Sequence, residues 1–478
     1  MRTGVALRII GSFLQIFALL VFTPFLVGIY YGETAYQLSG FIWASALSFF
    51  LGYMLHRIGD KDRPTVLEAM FSTVLGWILA IFIGSIPFMI ELSMVDAVFE
   101  SAAGLTTTGI SVVMHPEDLS NSLLFWRSFS QWIGGLGILT FFVAVIRESG
   151  GVTRRLYSAE AHKTDSGSIR PSLTKSVTEL WRVYGFITSV FVAIYIVLGM
   201  PAFDALLHSF SGISTGGFST MSESIAAFNS DAITIATIFL MFLGGANFVL
   251  LYRLFRSDYK PLLQSSEFKL YSKIAVVLSI FMSLELFRSG FSRNQAVLDG
   301  AFQATAVLSS TGYSTLTLTS FSVALQTVII GVMLIGGSLG STSGGIKIFR
   351  LKTMLELSKT RLKSYKLPNS AINKVKIDGE ILGNHVVKTI AVIFFVWISM
   401  VAVSTVLVLA FDDVTLMAAL SGSVSAAGNM GPVYMADAEI TQLSAFSKIN
   451  WSIMMLAGRL EMLPLLAIFN SELFKETK

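Results

Sequence analysis

Of 478 residues none is cysteine, five are histidine and only 13% carry a charge. The first absence excludes disulfides and thiolate metal sites, and says little about compartment. Histidine is scarce, and no H-E-x-x-H, Walker-type or G-x-G-x-x-G segment stands in a strand–helix context. No cofactor is therefore expected in this chain. The shortage of charge is the most restrictive of the three. A soluble chain of this length needs far more charge to cover its surface, whereas this one is 53% apolar with a mean hydropathy of +0.70. That composition belongs to a multi-span membrane protein. The net charge of +4 follows from topology, not from nucleic-acid binding.

Arg2 and Arg8 precede an apolar run from Ile9 to Tyr30 that is too long for a signal peptide. Gly32-Glu-Thr-Ala-Tyr offers no small-x-small cleavage site, so the run reads as a retained first span. Windows of about 20 apolar residues, enough to cross ~30 Å of hydrocarbon, fall at 9–30, 37–56, 68–90, 122–146, 182–201, 232–253, 271–288, 323–340, 387–411 and 449–470. The expected fold is an all-α integral membrane protein with ten transmembrane helices. Shorter apolar stretches at 94–105, 202–212, 297–308 and 414–424 suit re-entrant helices, which a membrane tolerates only when they are buried in protein or line water.

Basic residues cluster on one side, at Arg57/Lys61/Arg63, Arg147/Arg154/Arg155, Arg253/Arg256/Lys260 and Lys347/Arg350/Lys352. The opposite loops carry Glu33, Glu117, Asp118, Glu223, Asp437 and Glu439, with Arg288, Arg293 and Lys448 as exceptions. By the positive-inside rule both termini are cytoplasmic.

Each short stretch runs into a small-residue segment built around glycine: Thr106-Thr-Thr-Gly109-Ile-Ser, Ile213-Ser-Thr-Gly216-Gly-Phe, Ser309-Ser-Thr-Gly312-Tyr-Ser and Ser425-Ala-Ala-Gly428-Asn-Met. These glycines lie 107, 96 and 116 residues apart. A second small motif follows in the next span, beginning at Gly134, Gly244, Gly336 and, more loosely, Gly458. One such motif would signify close helix packing. Four in phase indicate a unit of helix, pore helix, glycine loop and helix, repeated four times around one pore. The expected division is an N-terminal helix pair (1–62) and pore repeats at 63–150, 151–260, 261–380 and 381–478.

A bare cation cannot enter hydrocarbon, because losing its water costs tens of kcal/mol. Rings of backbone carbonyls replace that water without fixed charge. Glycine reaches the backbone angles that aim them, and pore helices add the negative ends of their dipoles. The expected ion-binding ring is Thr107, Thr108, Gly109; Ser214, Thr215, Gly216; Ser310, Thr311, Gly312; and Ala426, Ala427, Gly428. The alanines of the last segment offer no side-chain oxygen, so the ring is not chemically fourfold.

In the run 336–345 half of the residues are glycine, each costing about 1 kcal/mol in a helix interior. A break lining a water-filled cavity is expected, serving as a gate built from Gly336, Gly337, Ser338, Gly340, Ser341, Thr342, Ser343, Gly344 and Gly345. Arg459 and Glu461 stand inside the last span, where charges have partners or face water. Arg459 either donates to carbonyls of the break, latching it shut, or pairs with a nearby acid or faces water. Asp96, Glu100, Asp204 and Asp299 either concentrate cations outside or favour helix N-termini. The segment 347–380 holds nine basic residues against three acidic ones, which fits docking of a cytoplasmic protein or contact with anionic lipid.

The glycine segments, the Gly-Gly-Ser-x-Gly-Ser-Thr-Ser-Gly-Gly break and the ending Gly458-Arg-Leu-Glu-Met-Leu-Pro464 resemble the Trk/Ktr/HKT superfamily of potassium transporters, over about 68–470. The extra helix pair and the length look most like the bacterial TrkH/TrkG branch. The resemblance implies potassium (K⁺) uptake across the cytoplasmic membrane of a bacterium through a gated, channel-like pore. The family's filter glycines fall on Gly109, Gly216, Gly312 and Gly428, its gating loop on 336–345 and its last-helix arginine on Arg459. Gly109, where sodium carriers of the family often have serine, favours K⁺. The resemblance further implies a homodimer with one pore per subunit and a cytosolic TrkA-like RCK regulator that carries the nucleotide site.

The competing class is a carrier coupled to H⁺ or Na⁺, usually built from inverted repeats with an ionisable residue at the midplane. Here the repeats share one orientation and the segments carry no acid. An intramembrane enzyme would need a nucleophile–base pair or metal ligands, and His115 and His208 show no evident partners in the sequence.

Overall fold

The computed structural model describes residues 2–62, 64–149, 173–316, 321–366, 374–462, 464 and 465. The basic residues Arg63, Arg154 and Arg155 lie outside them.

The chain is mostly helical. Two long helices, α1 (Thr3–Tyr30) and α2 (Ala35–Ile58), open it. They pack where glycine leaves room: a side chain at Gly11 would run into the Gly52 carbonyl, and one at Gly52 into the Gly11 carbonyl. Ser45 and Ser48 donate across the pair to the carbonyls of Ala18 and Leu14, at 2.9 and 2.8 Å. Close approach through small residues with polar crosslinks is how helices associate in lipid. Their outer faces stay uncovered; Leu19 is 71% exposed and Phe50 69%.

A helix–short helix–loop–helix order follows four times. It comprises α3 (Val66–Ser85), α4 (Met94–Leu105) and α5 (Asn121–Ser149), then α6 (Leu173–Val197), α7 (Ala202–Ile213), α8 (Asp231–Gly244) and α9 (Phe248–Phe255). After a short α10 (Lys260–Gln264) come α11 (Ser266–Arg288), α12 (Arg293–Leu308), α13 (Val323–Met333) and an amphipathic α14 (Ile348–Ser364). A two-stranded hairpin, β1 (Lys376–Ile377) with β2 (Glu380–Ile381), leads to α15 (Asn384–Phe411), α16 (Leu416–Gly428), α17 (Asp437–Gln442) and α18 (Ala445–Arg459).

Helices α4 and α7 have 12 residues each, about 18 Å, too short to cross a bilayer. Ser93, Ser292 and Thr415 cap the N-termini of α4, α12 and α16 through their side chains, and Pro201 starts α7. The far ends of these four helices are almost wholly buried.

Among the described residues, six helices are long and apolar enough to cross a membrane, or seven if α8 and α9 form one broken span. Three of the expected straight spans are interrupted. That at 232–253 bends by 109° between α8 and α9. Gly244-Gly-Ala-Asn247 sits at the bend, and the Asn247 side chain caps α9 by accepting from Val249 and Leu250 N–H. That at 323–340 stops at Met333, and the one expected from 449 begins at Ala445 and turns after Arg459.

Candidate functional site

The four glycine segments share a backbone pattern that composition does not display. Thr107 and Gly109 have φ of +55° and +78°; Thr215 and Gly217, +55° and +80°; Ser310 and Gly312, +60° and +79°; Asn429 and Gly431, +50° and +96°. The residue between each pair has negative φ, so handedness alternates along each segment. Successive N–H groups then turn the same way. Those of Thr107, Thr108 and Gly109 reach back to the carbonyls of Gly104 and Ala103 at 3.0, 2.8 and 3.4 Å. Those of Ser310, Thr311 and Gly312 reach Val307 and Ala306 at 3.1, 2.9 and 3.3 Å. The second segment repeats this from Thr215 and Gly216 to Gly212 and Ser211, the fourth from Asn429 and Met430 to Ala426 and Ser425. In a trans peptide N–H and C=O point opposite ways, so the carbonyls face away from the pore helices.

The segments also close on one another. A Cβ on Gly109 would strike the Gly216 carbonyl, one on Gly217 the Thr311 carbonyl, and one on Gly312 the Met430 carbonyl. On Gly431 it would lie 3.1 Å from the Thr108 carbonyl. The sequence of contacts runs first to second, second to third, third to fourth and fourth to first. Gly109, Gly217, Gly312 and Gly431 are partly exposed, while the residues preceding them are buried.

This places the expected ring residues plainly. Thr107, Thr108, Gly109, Ser310, Thr311 and Gly312 stand in matching positions in the first and third segments. In the second, Gly217 and not Gly216 occupies the left-handed position; in the fourth it is Gly431, three residues beyond Gly428. Gly428 still belongs to α16, as do Ala426 and Ala427. Ser214 is the C-cap of α7, matching Thr106 and Ser309 after the first and third pore helices. The Gly216 carbonyl accepts from Gln131 at 2.8 Å.

The hydroxyls brace more than they line. Thr106 bonds Thr108, and Ser309 bonds Thr311, both at 2.7 Å. Asn429 donates to Thr108 Oγ1 (2.9 Å) and to the Met455 carbonyl (2.8 Å), tying the fourth segment to the first. The in-phase glycines of the following spans have a local cause: Cβ atoms on Gly134 and Gly458 would strike the Leu105 and Ala427 carbonyls at the pore-helix ends, and one on Gly244 would sit 3.1 Å from that of Ile213.

The acids near the pore helices have partners. Asp96 pairs with Lys448 at 2.6 Å, Glu100 with Arg127 at 2.8 Å, and the Asp204 carboxylate accepts from Thr220 at 2.6 Å. Asp299 is 7% exposed. His208, which looked partnerless, is fully buried between the Asp204 carbonyl (2.8 Å) and Ser219 Oγ (3.0 Å). His115 lies 3.7 Å from Glu117. Arg127 and Gln131 escaped the sequence reading. Their one signal was a charge and an amide four residues apart in a helix whose other polar side chains nearby are serines.

Beneath the segments the run 336–345 is non-helical, with φ of +70°, +74° and +74° at Gly336, Gly340 and Gly345. It inserts into the bend between α8 and α9. Ser338 N–H and Thr342 N–H donate to Gly245 and Gly244, and the Thr342 hydroxyl bridges the Ile213 and Gly244 carbonyls. The run reaches the glycine segments directly: Ser310 Oγ accepts from Gly344 N–H (2.7 Å) and donates to Ser343 Oγ, while Gly345 N–H donates to the Gly428 carbonyl (2.8 Å). Ser343 Oγ also accepts from Gly337 N–H, and Ser341 Oγ donates to the Ser338 carbonyl. Arg459 is 7% exposed. Its guanidinium donates to the Thr342 carbonyl at 2.8 Å and to Gly134 and Gly135 at 2.6 and 2.8 Å. Glu461 pairs with Arg350, and Lys347 Nζ folds back onto the Ser343 carbonyl. A cavity of about 70 Å³ remains between this loop, Asn429 and Arg459.

Known proteins show the same architecture. The crystal structure of the potassium transporter TrkH from Vibrio parahaemolyticus superposes with a TM-score of 0.88 at 27% identity, covering 99% of this chain and 100% of that one. The Trk system potassium uptake protein TrkH of Salmonella typhimurium is 29% identical over 98% of this chain and 99% of its own. An uncharacterized cation transporter of Methanocaldococcus jannaschii is 30% identical over 98% and 96%. The model of the TrkH family, described as cation transport proteins, matches residues 40–476, and the chain belongs to that family.

Proposed function

We propose that this protein carries K⁺ into the cell across the cytoplasmic membrane, through one pore formed where the four glycine segments meet. The observation that carries the reading is the closed cycle of contacts, in which each left-handed glycine abuts the carbonyl-bearing strand of the next segment. Alternating backbone handedness directs carbonyls away from the pore helices, and a ring of such oxygens substitutes for an ion's hydration shell. The ends of four pore helices add negative dipole potential at the same place. Thr107, Thr108 and Gly109, Thr215 with Gly216 and Gly217, Ser310, Thr311 and Gly312, and Asn429 with Met430 and Gly431 form the filter in this reading. Ser214, Ala426, Ala427 and Gly428 support it from behind.

Ten crossings accommodate this arrangement, the bent α8–α9 unit, α5, α13 and α18 completing the set, with both termini cytoplasmic. The loop 336–345 is the gate. It lies under the filter, held by Ser310, by the Gly428 carbonyl and by Arg459, whose one bond to the loop, at the Thr342 carbonyl, comes from a charged donor and is worth about 1.5–3 kcal/mol, while its other two tie it to α5. Opening requires those bonds to break. A homodimer bound to a TrkA-like RCK ring supplies the force, and the basic α14 is the part of the chain placed to receive it. Membrane lipid covers the outer faces, and no nucleic acid takes part.

The decisive experiment is the reversal potential of the purified protein in a planar bilayer under opposed K⁺ and Na⁺ gradients. A value near the K⁺ equilibrium potential is expected. Labelled K⁺ uptake that needs a proton or Na⁺ gradient, without current, replaces the pore with a coupled carrier.

A further inference from the structure

Nine residues before the left-handed glycine of each segment, the pore helix carries Glu100, His208, Gln303 or Gly422. In three segments that side chain reaches the strand leaving the filter. Glu100 accepts from Ser111 Oγ (3.0 Å) and Val112 N–H (3.1 Å). His208 Nε2 meets Ser219 Oγ at 3.0 Å, and Gln303, with its amide assigned oxygen-inward because only donors face it there, accepts from Thr315 and Leu316 N–H at 3.1 and 3.2 Å. In the fourth the position is empty of side chain because the Trp451 indole fills it.

The first of these braces alone carries charge, and it spans two quadrants. Arg127, on α5, donates through Nε to Glu100 at 2.8 Å and through its two terminal nitrogens to Ser111 Oγ (3.1 Å) and the Ser219 carbonyl (3.0 Å). Ser111 and Ser219 hold the same place, two residues after Gly109 and Gly217. The guanidinium also stacks on Phe218, 4.2 Å from the ring centre. Both side chains of the pair are at least 97% buried. One turn along α5, Gln131 donates to the Gly216 carbonyl and accepts from Phe218 N–H. A buried ion pair is poor ground for stability, since desolvation offsets its attraction. What this one supplies is a fixed distance: a planar fork with donors in set directions holds two strands more rigidly than neutral contacts do.

We propose that Glu100 and Arg127 are positioning residues that set the spacing between the first and second filter strands, and through it the preference for K⁺ over Na⁺. This rests on the reading of the four segments as an ion filter. Arg127→Lys keeps the charge but not the fork, and the double variant Glu100→Gln/Arg127→Gln keeps the polar atoms without charge. Each is reconstituted in planar bilayers and its reversal potential read under opposed K⁺ and Na⁺. The K⁺/Na⁺ permeability ratio is expected to fall at least threefold in both, beyond any loss of thermal stability. A merely structural pair would lower the melting temperature and leave the ratio alone, which overturns the proposal. If neither variant folds, Ser111→Ala, which removes the one hydroxyl that both Glu100 and Arg127 bond and leaves only the Val112 N–H bond to the first strand, decides: a fallen ratio supports the proposal and an unchanged one overturns it. Gly431→Ala, measured beside them, separates the two levels. If it shifts the ratio and the brace variants do not, only the positioning role is lost; if it too is silent, the filter reading fails.

Discussion

Alanine at Gly431 and at Gly428 distinguishes the two ways of aligning the fourth segment. Gly431 has φ +96°, a conformation in which an L-residue is strained by about 1–2 kcal/mol. Its new methyl would also lie 3.1 Å from the Thr108 carbonyl and 3.4 Å from the Gly312 Cα, both backbone atoms of neighbouring glycine segments. Gly428 lies in helical backbone, and its methyl would meet the Met430 side chain at 3.0 and 3.4 Å, a group able to shift. A strain of 1–2 kcal/mol corresponds to about 5–30-fold in an equilibrium. Relieving it means moving the Thr108 carbonyl, which lines the pore in the reading proposed above. The K⁺/Na⁺ permeability ratio is therefore expected to drop about tenfold in Gly431→Ala and to change less than about twofold in Gly428→Ala. Reversal potentials of the two variants, each shown monodisperse in detergent, give the comparison. Loss of selectivity in Gly428→Ala with Gly431→Ala unaffected would refute the alignment drawn from backbone handedness.

Arg459→Gln removes the charged donor from three carbonyls, and basal Rb⁺ flux without any cytosolic partner is expected to rise at least tenfold; flux equal to wild type in folded protein rejects the latch. Ser310→Ala leaves Gly344 N–H without its acceptor and frees the loop from the third glycine segment. A rise of about 5- to 150-fold, from the 1–3 kcal/mol of an unmet buried donor, is expected in the same flux assay, and a fall would show that the bond does not hold the loop shut. Gly134→Leu drives a side chain into the Leu105 carbonyl, and a melting temperature lowered by several degrees is the measurement that checks it. In the loop before α5 burial raises the Glu117 pKa, but bonds from the Ser222 hydroxyl and N–H outweigh it and hold the carboxylate below its usual range. That contact's contribution is complete above the unfolded carboxylate pKa of about 4.3 and lost as pH falls through the lowered folded value. Ser222→Ala should accordingly flatten the fall in melting temperature below about pH 4.5, and an unchanged slope assigns the acid sensitivity elsewhere.

The sequence displayed the helix pair, the four short helices and the non-helical run at 336–345, because each rests on local composition. A window of apolar length, a run of five glycines among ten residues and an in-phase small residue are legible one segment at a time. Alignment within the second and fourth segments was not. Gly216 and Gly217 are adjacent, and Gly428 and Gly431 flank Asn429; only the sign of φ, set by contact with the neighbouring quadrant, tells them apart. The bend at Gly245–Asn247 was equally hidden, since its freed carbonyls find donors about a hundred residues away, at Ser338 and Thr342. The pairing of Glu100 with Arg127 is likewise a property of the assembled ring.

Four quadrants written into one chain can be altered singly, whereas a ring of identical subunits changes only four positions at a time. The fourth quadrant already uses that freedom. Asn429 stands where the others have Thr or Ser, and its amide clasps the first quadrant while Met430 takes the place of Thr108. Selectivity in such a ring can drift one strand at a time, each step small enough to be survived, along a path that an exact fourfold assembly does not have.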